Sequence, residues 1–270
     1  MNATDEDYAT PERLAIYLEI GWSDFLFEPP RAKLPDNGLP YPNPRIDVVP
    51  PDFPLAVAKL ARSWTRGLSL EPGSLCDVGG ATGRTLFELA RQFPDCEELV
   101  LLEPSERFCD WARRLLLSDS DLPKVPLVDC VGRPRWVSPK TRPPALPRAN
   151  ERLAVVNETL ERYRPQGGFD LVTCLNVVDR HPSPAAVVSD IGRLMNDGGL
   201  LLLSCPFDFR DESTPDIEAR IDDLNALFVA NSSWSHVGED ELFYEFRSHA
   251  TSWTRFSSQV VGMRWQAGRQ

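Results

Sequence analysis

The stretch "LCDVGGATGR", residues 75–84, constrains this chain more than any other. Three glycines follow an aspartate at the end of a short apolar run, and the helical pattern "RTLFELARQF" (84–93) starts directly behind them. Glycine lets a backbone take positive φ and come close to a ligand. A helix that opens at such a loop aims its free N–H groups at whatever the loop holds. This local unit is strand, loop, helix, and the flanking sequence repeats it. "SLCDV" (74–78), "ELVLLEP" (98–104), "RLAVVNE" (152–158), "FDLVTCLNV" (169–177) and "LLLLSCP" (200–206) read as strands. "PLAVAKLARSW", "SERFCDWARRLLL" (105–117, with Ser105 as its N-cap) and "SPAAVVSDIGRLM" (183–195, closed by the glycines of "NDGG") read as helices. Near-continuous apolar strands that alternate with helices predict an α/β fold with a parallel sheet covered on both faces.

An acidic residue ends the second strand. Glu103 lies about 20 residues beyond Gly83, where a nucleotide-binding βαβ unit places its ribose-binding carboxylate. The glycine spacing (Gly79, Gly80, Gly83) departs from the dinucleotide pattern G-x-G-x-x-G, and no Gly-Lys-Ser/Thr is present for a triphosphate.

The remaining segments frame this unit. Residues 1–52 read as a lead-in: a helix in "PERLAIYLEIGWSDFLF", then a Pro-rich stretch that cannot be regular helix or central strand and suits a lid. Residues 53–270 form the main domain, with 118–149 as an inserted loop. "DIEARIDDLNALFV" (216–229) has amphipathic helical spacing, and its apolar face leaves room for a homodimer. "FSSQVVGMRW" (256–265) suits a closing strand. A net charge of −11 argues against nucleic acid as partner. No apolar run reaches the ~18–20 residues of a membrane span, so no membrane partner is expected. The acidic N-terminus has no signal pattern, so a cytoplasmic location is expected. Six cysteines without C-x-x-C spacing read as small buried hydrophobes, and no metal site is expected.

"D-V-G-G-A-T-G" resembles motif I (D/E-x-G-x-x-x-G) of the class I S-adenosylmethionine-dependent methyltransferases. The resemblance covers about residues 53–206 and takes in "LEP", "FDLV" and "NDGGLLLL". It implies a Rossmann-like fold with a mostly parallel seven-stranded sheet and helices on both faces, and S-adenosyl-L-methionine as cofactor. It also implies residue roles. Gly79, Gly80, Ala81 and Gly83 would line the methionine and sulfonium end, bracketed by Asp77 and Arg84. Glu103 would bind the ribose hydroxyls. Pro104 and Phe108 would lie near the adenine, with Phe108 equally readable as plain core. Asn157 and Glu158 would flank the base.

A second motif, "CLNVVDRHPSP" (174–184), follows the fourth strand. Ligands of open α/β sheets sit at the carboxyl ends of the strands, so the methyl acceptor belongs here. The stretch is similar to that of the seven-strand protein-histidine N-methyltransferases (methyltransferase-like protein 9). It also resembles the methyltransferase domain of ovothiol biosynthesis; "GRTLFELAR" and "CPFDF" match that domain too. Both methylate an imidazole nitrogen. The resemblance implies that Asp179 accepts the imidazole N–H and that Asn176 bonds the ring or the cofactor carboxylate. Arg180, His181 and Phe207 would face a small-molecule or peptide acceptor. Asp179 has a plainer reading as the partner of Arg180 or a helix cap. Tyr244 and Trp253 are further candidates for the pocket wall, and His236 and His249 for substrate contact. The Pro-rich lead-in and the 118–149 segment match neither relative. Rival functions are a natural-product N- or O-methyltransferase, for which His181 is the one base near the fourth strand, and a catalytically silent cofactor-binding module.

Overall fold

The computed structural model describes residues 10–27, 52–128, 132–229, 231–249 and 252–268. The Pro-rich segment expected as a lid (residues 28–51) and Cys130 lie outside the described residues, as do the side chains of His249 and Trp253.

Helices α1 (Pro11–Leu26) and α2 (Asp52–Gly67) precede the first strand. Thr10 caps α1 by accepting the Arg13 backbone N–H at 3.2 Å, and proline occupies the first helical turn, where its missing N–H costs nothing. The alternation then runs β1 (Ser74–Val78), α3 (Arg84–Gln92), β2 (Glu98–Leu102) and α4 (Glu106–Leu116). After β3 (Val125–Val128), β4 (Pro134–Val137) and the short α5 (Ala149–Arg152) come β5 (Leu153–Val156), β6 (Phe169–Leu175), α6 (Pro184–Gly192) and β7 (Met195–Cys205). The long strands β8 (Trp234–His249) and β9 (Ser252–Trp265) finish the chain.

Seven strands form one sheet in the order β5-β2-β1-β6-β7-β9-β8. The first five are parallel; β9 runs antiparallel to β7 and to β8. All five residues of β1 are buried, and successive ones enter different cores. Leu75, Leu99, Leu101, Leu200 and Leu202 pack beneath α1–α4. Cys76, Val100, Leu102, Leu201 and Leu203 pack beneath α6 and the turns before β8. This is the expected mostly parallel sheet covered on both faces. Cys76, Cys96, Cys109, Cys174 and Cys205 are free and buried. No helix among the described residues is long and apolar enough to cross a membrane.

Three local expectations are corrected. Residues 216–229 form two short 3-10 turns, Ile217–Ala219 and Leu224–Leu227, because the Asp216 and Asp223 carboxylates take the backbone N–H groups of Glu218 and Asn225 and close local turns instead of a helix. The apolar helix face that would permit a homodimer does not form. The 118–149 segment is no simple loop. Its β3 and β4 pair as an antiparallel hairpin, and Val128 packs against Ala15 and Ile16 of α1. "NDGG" (196–199) does not close α6; the helix ends at Gly192, and these residues belong to the start of β7, with Gly198 at φ 80°. Ser105 stands at the N-cap of α4 without a side-chain capping bond.

Helix α1 is pinned onto the glycine loop. Trp22 Nε1 donates to the carbonyl and hydroxyl oxygens of Thr82, at 3.2 and 3.1 Å. Arg84 donates to both carboxylate oxygens of Asp24 (2.7 and 2.9 Å), to the Gly21 carbonyl and to Glu88. Its guanidinium lies among the rings of Trp22, Phe25 and Phe87 at 5.1–5.7 Å. Arg84→Ala would leave Glu88, whose side chain is 3% exposed, with only the solvent-facing Arg91. The expected loss is on the order of 3 kcal/mol, read as a lower urea midpoint. An unchanged midpoint would show that the pin contributes nothing.

Candidate cofactor and acceptor site

The carboxyl ends of β1, β2 and β6 converge beside the glycine loop. Gly79, Ala81 and Gly83 all have positive φ (67°, 47° and 88°), so the chain turns sharply between β1 and α3. Gly79 and Gly80 allow close packing underneath. A Cβ on Gly79 would lie 2.5 Å from Val177 Cγ2, and one on Gly80 would lie 2.7 Å from Asp77 Oδ2. Glu103 stands at the end of β2 and braces the loop. Its Oε2 accepts the Ala81 N–H at 3.0 Å and its Oε1 the Ser105 N–H at 2.9 Å. Asn157 donates to the carbonyls of Glu103 and Pro104 at 3.1 and 2.7 Å, which ties the end of β5 to the end of β2. Glu158 accepts the N–H of its neighbour Thr159 at 2.9 Å.

Two expected cofactor contacts are placed otherwise. The Arg84 side chain serves the α1 pin, because its guanidinium is taken up by Asp24, Gly21 and Glu88. Phe108 is 2% exposed and packs on Tyr17 at 4.8 Å between ring centres, so it is core.

Asp77 lies under the loop. Its Oδ1 accepts from the Thr173 hydroxyl at 2.7 Å across the β1–β6 register, while Oδ2 is buried and bonded to nothing among the described residues. Burial pushes its pKa up to about 7, against the pull of the Thr173 bond. The sign follows. Between about pH 4 and 7 the unfolded chain has lost this proton and the fold still holds it, so stability falls as pH rises through that window. Asp77→Asn is expected to remove this part of the pH dependence, measured by urea denaturation at pH 5 and pH 8; an unchanged difference would rule it out.

Residues 176–180, where the acceptor was expected, follow β6. Asn176 ends β6 with φ 57°. Its Oδ1 accepts from Ser204 Oγ at 2.8 Å and from Ser258 Oγ at 2.9 Å. A 3-10 turn, Val178–Arg180, then turns Asp179 inward to 0% exposure. Among the described residues neither Asp179 oxygen has a hydrogen-bond partner, and Arg180 Nη1 forms a longer ion pair with Oδ2 at 3.4 Å. Burial pushes the Asp179 pKa up to about 6, with the Arg180 guanidinium opposing. Arg180 is itself held by Asp208 at 2.7 Å. Tyr244 reaches this region from β8, with its ring stacked on Phe256 at 5.1 Å and edge-on to Phe53 at 5.5 Å. Burial, then the Asp179 charge, drives its phenol well above the usual pKa. Phe207, at φ 56°, packs half-buried on the α6 side of the sheet.

His181 is placed differently from expectation. Nε2 meets Glu161 at 2.8 Å and Nδ1 the Ser183 backbone, so both ring nitrogens are engaged in bracing the turn. His236 sits in β8 opposite Met263, beside Trp64 and Arg264 in a separate groove against α2. Sequence reasoning missed Thr173, Ser204 and Ser258. The first two are polar residues interrupting apolar strands, which is a readable signal; Ser258 carries none.

A family model described as a methyltransferase domain matches residues 54–250. No curated protein matches the chain. Among solved structures, a Pyrococcus horikoshii chain described as a candidate RNA methyltransferase has TM-score 0.50 at 9% identity, over 78% of this chain and 83% of that one. The N-methyltransferase NodS of Bradyrhizobium japonicum WM9, in complex with S-adenosyl-L-homocysteine, has TM-score 0.46 at 11% identity, covering 77% and 86%. Magnesium protoporphyrin IX methyltransferase of Synechocystis PCC 6803, with bound S-adenosylmethionine, has TM-score 0.47 at 14% identity, covering 78% and 79%. At such identities the likeness concerns the fold alone.

Proposed function

The chain belongs to the methyltransferase-domain family, and from that premise we propose that it transfers a methyl group to an imidazole nitrogen of histidine, a histidine derivative or a His-containing peptide. It is an S-adenosylmethionine-dependent enzyme. The residues present fit that cofactor: a positive-φ loop at the start of α3, the buried Glu103 carboxylate at the end of β2, and an unpartnered Asp77 oxygen beneath the loop. Gly79, Gly80, Ala81 and Gly83 would hold the methionine and sulfonium end; Glu103 would hold the ribose, with Pro104, Asn157 and Glu158 beside the base. When bound, the cofactor supplies an electrophilic methyl group.

One observation carries the acceptor class. Asp179 is fully buried, burial pushes its pKa up to about 6, and among the described residues both its oxygens lack a hydrogen-bond donor. Buried carboxylates without donors are costly, so such a group just past the carboxyl end of β6 marks a place where a ligand donor belongs. A neutral imidazole offers one N–H and one lone pair. Asp179 accepts the N–H, which fixes the tautomer and aims the lone pair. As the nitrogen takes the methyl the ring becomes an imidazolium, and Asp179 faces the new positive charge. No base need remove a proton first. An O-acceptor would need one, and both nitrogens of His181 are already engaged.

The test is methyl transfer from labelled S-adenosylmethionine to histidine, thiolated histidines, His-containing peptides and a panel of non-imidazole amines and phenols. Label on an imidazole, lost in Asp179→Ala, supports the reading. Label on non-imidazole acceptors alone overturns it and favours a natural-product N- or O-methyltransferase.

A further inference from the structure

Resting on the imidazole reading, we propose that Ser204 and Ser258 are positioning residues that lock the Asn176 amide with its NH2 toward the acceptor, and that the acceptor presents a carbonyl or carboxylate oxygen to it.

Proton counting fixes the amide. Ser204 Oγ accepts the Asn176 backbone N–H at 3.1 Å, so its own proton is free to go to Asn176 Oδ1, at 2.8 Å. Ser258 gives its proton to the same oxygen at 2.9 Å. Both serines are 0% exposed. With the amide turned over, Nδ2 would donate to both hydroxyls, and two buried hydroxyl protons would lose the acceptor they now have. Buried donors are almost always satisfied, so the oxygen faces the serines. The NH2 then points the other way, and it makes no hydrogen bond among the described residues. The left-handed backbone of Asn176 holds this arrangement at the end of β6, one residue before Val177 meets Gly79 and three before Asp179.

The site therefore shows the acceptor one amide donor and one carboxylate. A bare imidazole matches only half of this. Its N–H goes to Asp179, and its single lone pair is the nucleophile and must stay free. The Asn176 donor needs a further acceptor atom on the substrate. The main-chain carbonyl of a peptidyl histidine or the carboxylate of a free one supplies that chemistry.

The experiment compares four acceptors: L-histidine, N-acetyl-L-histidine methylamide, histamine and 4-methylimidazole. It measures kcat and KM separately, with the cofactor Kd from calorimetry. The wild-type enzyme is expected to show a KM about tenfold lower for one or both oxygen-bearing acceptors; which of the two separates a carboxylate from a peptide carbonyl. Ser258→Ala is expected to erase that preference, raising KM for the oxygen-bearing acceptor about tenfold while kcat, histamine KM and cofactor Kd hold. Ser258→Thr, which keeps the hydroxyl, is expected to restore it. Equal KM across all four in the wild-type enzyme overturns the proposal alone. So does a Ser258→Ala effect that falls on cofactor Kd, which would place the amide on the cofactor. Transfer to none of the four, with label in the wider panel on non-imidazole acceptors alone, overturns the imidazole reading, and the proposal with it.

Discussion

Asp179→Asn is expected to lower kcat/KM toward an imidazole acceptor by about 10²–10⁴-fold, leave cofactor affinity intact and raise the stability of the fold. These outcomes have one cause. The side chain keeps its volume and loses a buried charge that, among the described residues, has only the 3.4 Å ion pair with Arg180 and no hydrogen-bond donor. Arg180 keeps its ion pair with Asp208, so nothing is orphaned in exchange. The stability gain has a pH signature. With the native pKa near 6 against 3.8 for the ordinary group, the fold holds the Asp179 proton longer than the unfolded chain does. The penalty of this carboxylate therefore grows as pH rises from about 4 to 6 and is complete above that. The gain in Asp179→Asn should be full at pH 8 and absent near pH 4. Activity runs the other way. In the wild-type enzyme kcat/KM falls as pH drops through about 6 because two protonations inactivate: that of Asp179 and that of the acceptor imidazole, whose ordinary pKa is about 6.5. The acid limb of log kcat/KM should approach a slope of 2, and Asp179→Asn should reduce it to 1. A variant that keeps both rate and slope would sink the assignment of Asp179.

Gly79→Ala is expected to weaken cofactor binding on the order of 100-fold and to raise the acceptor KM as well. Alanine at φ 67° pays about 1–2 kcal/mol for the left-handed backbone alone. Its Cβ would also lie 2.5 Å from Val177 Cγ2, so the loop or Val177 must move. Moving the loop disturbs the cradle; moving Val177 drags Asn176, its neighbour. Gly132→Ala is the control. Gly132 has φ 79° and open space around the missing Cβ, so it carries the backbone strain without the collision. Calorimetry on both variants separates the two terms. Wild-type cofactor affinity in Gly79→Ala would mean that the glycines serve only to turn the chain.

The placement of the glycine loop beside Glu103 was legible in the sequence because it is local. Asp77, the glycines and Glu103 sit at the ends of apolar runs long enough to read as strands, and chain order alone places them side by side. The surroundings of Asn176 and Asp179, the proposed acceptor side, are made by distance. Ser258 reaches Asn176 from 82 residues away, and Tyr244 meets Phe53 across nearly the whole described chain. No local pattern announces either. Strand β8 was not among the strands read from the sequence; its "GEDEL" (238–242) carries three carboxylates, charges that edge strands commonly bear. Arg84 was ambiguous: beside a glycine loop it reads as a ligand contact, and only the fold brings Asp24 and Trp22 onto it. The apolar spacing in 216–229 was real, but aspartates two residues ahead of N–H groups closed turns before a helix could grow.

The hairpin of β8 and β9 makes the site separable in inheritance. The groups that would carry the nucleotide all precede residue 159, whereas Ser258 and Tyr244 arrive on the last ribbon of the chain. On the proposed acceptor reading, mutational drift in that ribbon retunes which molecule is methylated and leaves the glycine loop and Glu103 as they were.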